Sequence, residues 1–297
     1  MKSMKRHSWL ALAACLAIAA PLSACATTSP PADNVGTDLV SQIKQRGELR
    51  VAVTSAPPAM INEVGTDNWS GIFLEPEQIW ADELGVKLTP VVLDYGDMVP
   101  ALLAGKIDMG TNLSITEERK NAIDFSDPLY SQVDTYAVAS GIDSFDKLNT
   151  SSNIVCVQAG TFQDEGLTNL AGRNFDLLRL GSTAECTVAL LSDRVQGFFY
   201  SWTIIGGMVA ENRATADLNV IVPPVALAFN AVAFGFVKDD DQSGIESFNK
   251  VLNHWLDEGG LAAANKNYGV ANPLAQVVGD IPQYMVDMAK VRGYELP

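Results

Sequence analysis

Short apolar runs alternate with amphipathic stretches in the early part of the chain. Residues 49–53 form a β-rich run, and residues 77–84 follow with helical spacing that stops at Gly85. Residues 86–93 then alternate apolar and polar positions as a strand does, before a second helical stretch at residues 98–104. This order of strand, helix, strand and helix predicts an α/β fold with a parallel sheet and crossover helices.

The alternation restarts twice further along the chain. A chain of this length exceeds what one compact layer around a single sheet can hold, so the restarts predict a second lobe. We predict strands at 153–157, 175–180, 195–200 and 231–237, and helices at 183–192 and 244–256.

The order of these elements indicates that one lobe is inserted into the other. Lobe 1 is predicted to comprise residues 38–137 and 231–297, and lobe 2 to comprise residues 138–230. Two extended crossings, at 135–140 and 227–231, would form a two-strand hinge. Ligands of open α/β sheets bind at the carboxyl ends of the strands, and here two such edges would face each other across a cleft.

The N-terminus has the features of an export signal. Three positive side chains precede an apolar run at residues 9–22, which is too short to span a bilayer. Small residues before Cys25 make a lipobox, which predicts cleavage of residues 1–24 and a diacylglycerol on the Cys25 thiol. Residues 25–37 would then be a flexible tether holding an exported protein to the cell envelope. The alternative is a plain secretory signal with an incidental cysteine.

The chain is acidic, with a formal net charge of −15. Removal of residues 1–24 takes away three positive side chains and no acid, which leaves a mature charge of −18. An acidic domain of this kind is unsuited to nucleic acid or to an anionic membrane surface, so we expect neither as a binding partner.

Two of the four cysteines remain available for pairing. Cys15 would leave with the signal and Cys25 would carry lipid, so Cys156 and Cys186 would remain in an oxidising compartment. A disulfide is our first interpretation, and two buried free thiols are the alternative. A zinc site is less favoured because His254 is the only histidine after the predicted signal.

Arg119 follows a cluster of hydroxyl and amide side chains between an apparent strand and an apparent helix. A guanidinium offers a planar fork of N–H groups that fits a carboxylate two-pronged, and backbone N–H groups at a helix start add anion donors. The alternative is a solvated helix residue paired with a nearby acid, which contributes little to stability. The cluster is Thr111, Asn112, Ser114 and Thr116, and the nearby acids are Glu117, Glu118 and Asp124.

Three short motifs around Arg119 resemble a known family. GKID at 105–108, SIT at 114–116 followed by Arg119, and DFSDPLY at 124–130 are similar to the first-lobe signature of family 3 extracellular solute-binding proteins. The resemblance covers roughly residues 42–270 and implies a two-lobed type II periplasmic-binding-protein-like fold, each lobe a mostly parallel sheet flanked by helices. It further implies a monomer that captures a small solute for the permease of an ABC importer, and it adds weight to the disulfide.

The resemblance assigns roles on the side of the site that binds the ligand carboxylate. Arg119 matches the arginine that clamps the carboxylate, and Tyr95 matches an aromatic ring over the ligand, with a half-buried core tyrosine as the alternative. Trp202 would be a second ring on the other side of the ligand. Further matches to ligand contacts are Thr111, Asn112 and Ser114 in lobe 1, and Gly160, Thr161 and Phe162 in lobe 2.

The resemblance fails on the side that would bind an amino group. In the family a strand ending G-R-V-D-A-x-x-x-D places an acid against the ligand ammonium, but the matching run at 193–201 ends in Ser201, and Thr54 replaces a second frequent acid. Glu75 and Asp164 could compensate, but the sequence places neither in the cleft. A buried ammonium facing a hydroxyl would lose a charge-assisted bond. We therefore predict a carboxylate ligand that is a modified or uncharged amino-acid relative or an organic acid.

Two other function classes remain open. An enzyme resembling exported cyclohexadienyl or arogenate dehydratases would need a general acid or base in the cleft. Ser201 has no visible histidine or lysine partner, His254 lies on a predicted C-terminal helix, and no metal-ligand cluster or nucleotide motif is present in the sequence. We therefore expect no catalytic residue, metal or cofactor. A ligand-sensing receptor module is the third class, and it would need a partner to signal across a membrane.

Overall fold

Two mixed β-sheets, each flanked by helices, organise the chain. The computed structural model describes residues 38–63, 65–223, 230–270, 277 and 282–291. The predicted signal, the tether and Cys25 lie outside these residues. None of the described helices combines the length and apolar character that crossing a bilayer requires.

The first sheet joins a parallel core to antiparallel strands. In spatial order its strands are β4 (Lys87–Val92), β1 (Glu48–Val53), β5 (Met109–Ser114), β13 (Asn230–Val237) and β6 (Ile123–Phe125), with β7 (Tyr130–Gln132) also paired to β13. β1 runs parallel to both β4 and β5, whereas β13 is antiparallel to its neighbours. A small separate hairpin pairs β2 (Ile61–Asn62) with β3 (Trp69–Ser70).

Helices pack against this sheet and bury their apolar faces there. Trp80, in the helix Leu74–Leu84, is fully buried, and its ring centroid lies 5.3 Å from that of Phe248 in the helix Ser243–Asp257. Gly85, in the left-handed region at φ 71°, ends the second helix where the sequence predicts a stop. The helices are α1 (Leu39–Arg46), α2 (Leu74–Leu84), α3 (Tyr95–Leu103), α4 (Glu117–Ala122), α9 (Ser243–Asp257) and α10 (Gly260–Asn267).

The second sheet repeats the plan with five strands. Its spatial order is β10 (Asp176–Leu180), β9 (Ile154–Gln158), β11 (Gly197–Ser201), β8 (Asp134–Ala139) and β12 (Leu218–Ile221). The first three strands are parallel, and β8 and β12 are antiparallel to their neighbours. The accompanying helices are α5 (Phe145–Leu148), α6 (Phe162–Thr168), α7 (Thr183–Leu191) and α8 (Trp202–Asn212).

A disulfide ties this second sheet to its flanking helix. Cys156 on β9 and Cys186 on α7 are bonded across a separation of 30 residues, with Cα atoms 5.6 Å apart. Both residues are fully buried. The predicted pairing is confirmed, and the alternative of two free thiols is excluded.

The chain passes from the first sheet to the second at Val133. Gln132 is still paired with β13 in the first sheet, whereas Asp134 already pairs with β11 in the second. The structure therefore places the first crossing nearer the N-terminus than the predicted 135–140, because those residues complete the ladder of β8. The second predicted crossing includes residues outside the described part of the chain.

The C-terminal segment returns to this crossing. α11 (Gln283–Val291) buries Met285 against Val133 and Trp202, and Val277 forms a parallel bridge with Val220 of β12. Sequence reasoning assigned this segment no role. In the structure it packs on the crossing and on the edge of the second sheet.

Candidate functional site

Arg119 lies where the two sheets approach each other. Thr116 caps α4 by accepting a hydrogen bond from the Arg119 backbone N–H at 3.2 Å, which fixes the start of this short helix. The guanidinium donates to the carbonyl of Ser114 at 3.0 Å and to the carbonyl of Gly160 at 3.2 Å. Ser114 ends β5 of the first sheet, and Gly160 follows β9 of the second. One side chain therefore bridges both lobes.

The Arg119 guanidinium keeps donor capacity for an anion. No carboxylate of the described residues lies within ion-pairing distance of it, and burial lowers the pKa of Arg119. Glu117 instead pairs with Lys120 at 2.9 Å, and Asp124 accepts from Gln242 at 3.1 Å. The alternative of a surface residue paired with these acids is thus contradicted. Among the described residues, two of the five guanidinium N–H groups have a hydrogen-bond acceptor, the carbonyls of Ser114 and Gly160.

Two tyrosines and an asparagine form a polar group beside Arg119. Asn112 donates to the Tyr95 hydroxyl at 2.9 Å, and the hydroxyls of Tyr95 and Tyr200 interact electrostatically across the lobes. Burial raises the pKa of Tyr95 to about 12, so the ring stays neutral. Asn112 has φ 57°, in the left-handed region where few residues other than glycine lie. This strain within β5 is typical of a functional position.

Arg119 lines two cavities of very different size. The inner cavity measures about 20 Å³, and the outer one about 510 Å³ between α3 and α6. The inner cavity is lined by Tyr95, Asn112, Ser114, Arg119, Gln132, Thr161, Phe162, Gln163 and Tyr200.

The lobes meet through two glycine backbones. A Cβ added to Gly160 would lie 2.7 Å from the Cα of Gly96, and Gly160 has φ 71°. Any side chain at Gly160 would therefore push the lobes apart. Together with the bond from Arg119, this contact shows a cleft that is closed at this point.

The structure brings most of the predicted ligand contacts together. Arg119, Ser114, Asn112, Tyr95, Thr161 and Phe162 all line the inner cavity, and Gly160 lines the outer one. The backbone N–H of Gly160 is already used, because it donates to Asp164 at 3.2 Å.

Three predicted contacts lie elsewhere. Thr111 is fully buried and donates to Glu77 at 2.6 Å, so its hydroxyl points into the core of the first lobe. Trp202 packs against Val133 and Met285 and lines neither cavity, and Tyr200 is the ring that faces Tyr95 instead. Ser201 is buried at the end of β11 and lines neither cavity.

Asp134 corrects the prediction that the amino-group side holds no acid. It is fully buried and lies directly opposite Ser201 in the antiparallel register of β8 and β11. Residues opposite each other project from the same face of a sheet, so the acid stands one strand away from the expected position. Sequence reasoning missed it, although Asp134 is the only charged residue between 128 and 142.

Gln132, Gln163 and Tyr200 are the other site residues that sequence reasoning missed. All three line the inner cavity. Among the residues that the structure describes, no group of three histidine, cysteine, aspartate or glutamate side chains is arranged to hold a metal ion.

Comparison with known proteins decides the family. The family model of bacterial extracellular solute-binding proteins, family 3, matches residues 49–271. The chain belongs to this family. The match includes both sheets and every residue of the inner cavity.

Individual relatives agree with this assignment. The arginine-binding extracellular protein ArtP of Bacillus subtilis is 27% identical over 272 residues, which cover 89% of this chain and 98% of ArtP. A membrane-bound lytic murein transglycosylase F of Yersinia pestis is 26% identical over 238 residues, 77% of this chain but only 47% of that enzyme. A mutant of ArgBP from T. maritima superposes with a TM-score of 0.68 at 25% identity, covering 78% of this chain and 99% of that structure.

Proposed function

We propose that this family member is the solute-binding lipoprotein of an ABC importer and that it captures a small carboxylate-bearing ligand between its lobes. The observation that carries the proposal is the Arg119 guanidinium, which spans the lobes and has carbonyl partners but no acid among the described residues within 4.0 Å. A planar fork with spare donors suits a carboxylate, which it can bind with two parallel hydrogen bonds.

Closure of the cleft completes this mechanism. An inner cavity of about 20 Å³ has room for roughly one water molecule, so a ligand can enter only when the lobes move apart. In the closed form, Tyr95, Asn112 and Ser114 of lobe 1 face Thr161, Phe162 and Tyr200 of lobe 2. A ligand held by both sets would keep the lobes slightly further apart than they are here, but it would still gain contacts absent from the open form and shift the population toward closure. The closed form would be the one that docks on the permease.

The anchor is proposed from the sequence together with the extracellular character of the family. Lipidation of Cys25 would hold the mature chain to the envelope, and residues 25–37 would give the lobes reach. Incorporation of radioactive palmitate by the wild type but not by Cys25→Ser is the expected result. Equal incorporation by both would contradict the anchor.

Catalysis is the competing function, and the raised pKa of Glu77 is the observation that would favour it. Burial raises the pKa of Glu77 to about 8, which is the range that a general acid needs near neutral pH. However, Glu77 lines neither cavity, because Thr111 stands in hydrogen-bond contact with it inside the core. We therefore favour binding without turnover. Multiple-turnover formation of product from prephenate or arogenate would reverse this choice.

A thermal-shift screen tests the carboxylate proposal. The panel should contain matched pairs in which a carboxylic acid is compared with its primary amide or alcohol, so that only the anion changes. We expect stabilisation by acids and not by their neutral counterparts, because only the acids can engage Arg119 two-pronged. Equal stabilisation by both members of each binding pair would refute a carboxylate ligand.

A further inference from the structure

Three buried side chains meet at the end of the inner cavity that carries no cation. The Oδ1 atom of Asp134 accepts one hydrogen bond from Nε2 of Gln132 and another from Nε2 of Gln163, each at 2.8 Å. Gln132 ends β7 in the first lobe, Asp134 begins β8, and Gln163 lies in the first turn of α6 in the second lobe. The three residues are at most 5% exposed.

The carboxylate fixes which way both amides point. Because Oδ1 of Asp134 accepts from both amides, each glutamine turns its NH₂ group toward Asp134. The Oε1 atom of each amide is then directed away from Asp134. Because Gln132 and Gln163 both line the inner cavity, the cavity gains two hydrogen-bond acceptors at this end.

The negative charge of Asp134 acts on a group that lines the inner cavity. Burial raises the pKa of Tyr200 well above its usual value, and the charge of Asp134 adds to this shift. Tyr200 lines the inner cavity, so the field that acts on its hydroxyl also acts on a ligand there. Hydrogen bonds from donors to acceptors polarise one another in a low-dielectric site, which makes each Oε1 a stronger acceptor for a cation.

We propose that Asp134 is a positioning residue that acts through Gln132 and Gln163 to select a positively charged N–H donor on the ligand. The inference rests on the proposed function, since Arg119 takes the carboxylate at the same cavity. The ligand class becomes a zwitterion, held by a guanidinium at one end and by two amide oxygens backed by a buried carboxylate at the other. The amino group would contact no acid directly.

Pairs of α-amino and α-hydroxy acids with the same skeleton and handedness are the probes. We suggest alanine with lactate, glutamate with 2-hydroxyglutarate, and phenylalanine with 3-phenyllactate, because each pair shares the carboxylate and differs only in ammonium against hydroxyl. Calorimetry at pH 7 on the full mature chain gives the affinity ratio within each pair. For the wild type, we expect the amino member of at least one pair to bind about tenfold tighter or more.

Asp134→Asn removes the charge and keeps the shape of the side chain. We expect this variant to lose about tenfold or more of the amino-acid preference, while affinity for the hydroxy acid changes less than about twofold. Asp176→Asn, an exposed acid of the same sheet, should leave the ratio unchanged. Gln163→Met deletes one acceptor, and should reduce the same ratio even if Asp134→Asn does not fold.

The outcomes separate this inference from the proposed function. An Asp134→Asn ratio equal to that of the wild type, or no preference for the amino member in the wild type, overturns the role of Asp134. If binding in those cases is still lost in Arg119→Ala, carboxylate capture stands. Failure of every probe to bind the wild type overturns both the role of Asp134 and carboxylate capture.

Discussion

Glu77 is a single residue that makes the stability of the fold depend on pH. Its pKa is raised from the ordinary value of 4.5 to about 8, because the carboxyl is fully buried on α2. Between these two values the folded state holds a proton that the unfolded state has released, so the free energy of unfolding falls as pH rises through this window. Above pH 8 the loss is complete.

Glu77→Gln should remove this dependence. The amide is neutral at every pH and its oxygen can still accept from Thr111, so we expect the variant to gain stability over the wild type as pH rises from 5 to 8. The gain has an upper bound of about 1.4 kcal/mol per pH unit. Urea unfolding at several pH values measures it, with Glu83→Gln on the exposed face of the same helix as the control. Parallel curves for wild type and Glu77→Gln would contradict the buried, protonated carboxyl.

Individual site residues differed in how far the sequence could predict them. Arg119 could be found because its motif lies within one continuous stretch of chain. Asp134 could not, since its relation to Ser201 depends on the pairing of β8 with β11, which brings together positions 67 residues apart. Thr111 was placed in the cleft from its neighbours, but strand alternation turns it toward Glu77.

At the scale of elements, the disulfide between β9 and α7 is the connection whose contribution to stability can be measured separately. Closing a loop across 30 residues should stabilise the fold by about 3–4 kcal/mol in the chain-entropy model. We expect Cys156→Ser with Cys186→Ser to lower the free energy of unfolding by this amount. Reductant should destabilise the wild type and leave the double variant unchanged. A wild type that is insensitive to reductant would contradict the bond.

The elements were predictable where one signal dominated. The stop at Gly85 and the long amphipathic helix α9 follow from local chemistry and from periodicity, and both appear in the structure. The antiparallel strands β6 and β7 carry three residues each, which is too short for a period to emerge. β8 was mistaken for the crossing at 135–140, because its five buried residues show no alternation of buried and exposed positions.

At the scale of the whole molecule, function depends on how closely the lobes can approach. Gly160→Ala would place a Cβ 2.7 Å from the Cα of Gly96 and should hold the cleft open. We expect weaker ligand binding and a ligand-bound radius of gyration that stays near the ligand-free value, measured by small-angle scattering.

Two matched variants separate the causes of that effect. Gly172→Ala has the same kind of backbone strain at φ 75° but meets no atom within 4 Å, so it should cost stability and spare binding. Gly96→Ala would place its Cβ 3.8 Å from Gly160, an ordinary contact, and should close normally. Full closure of Gly160→Ala would show that these backbones do not set the closed position.

The central claim is that Arg119 binds the ligand carboxylate between the lobes, and calorimetry on Arg119→Ala tests it most directly. The titrant is whichever acid stabilises the wild type most in the thermal-shift screen, and Arg194→Ala, an exposed arginine of lobe 2, is the control. We expect Arg119→Ala to lose about a hundredfold or more in affinity, because a charge-assisted two-pronged bond is removed from a buried site, with the control unchanged. Wild-type affinity in Arg119→Ala would contradict the account.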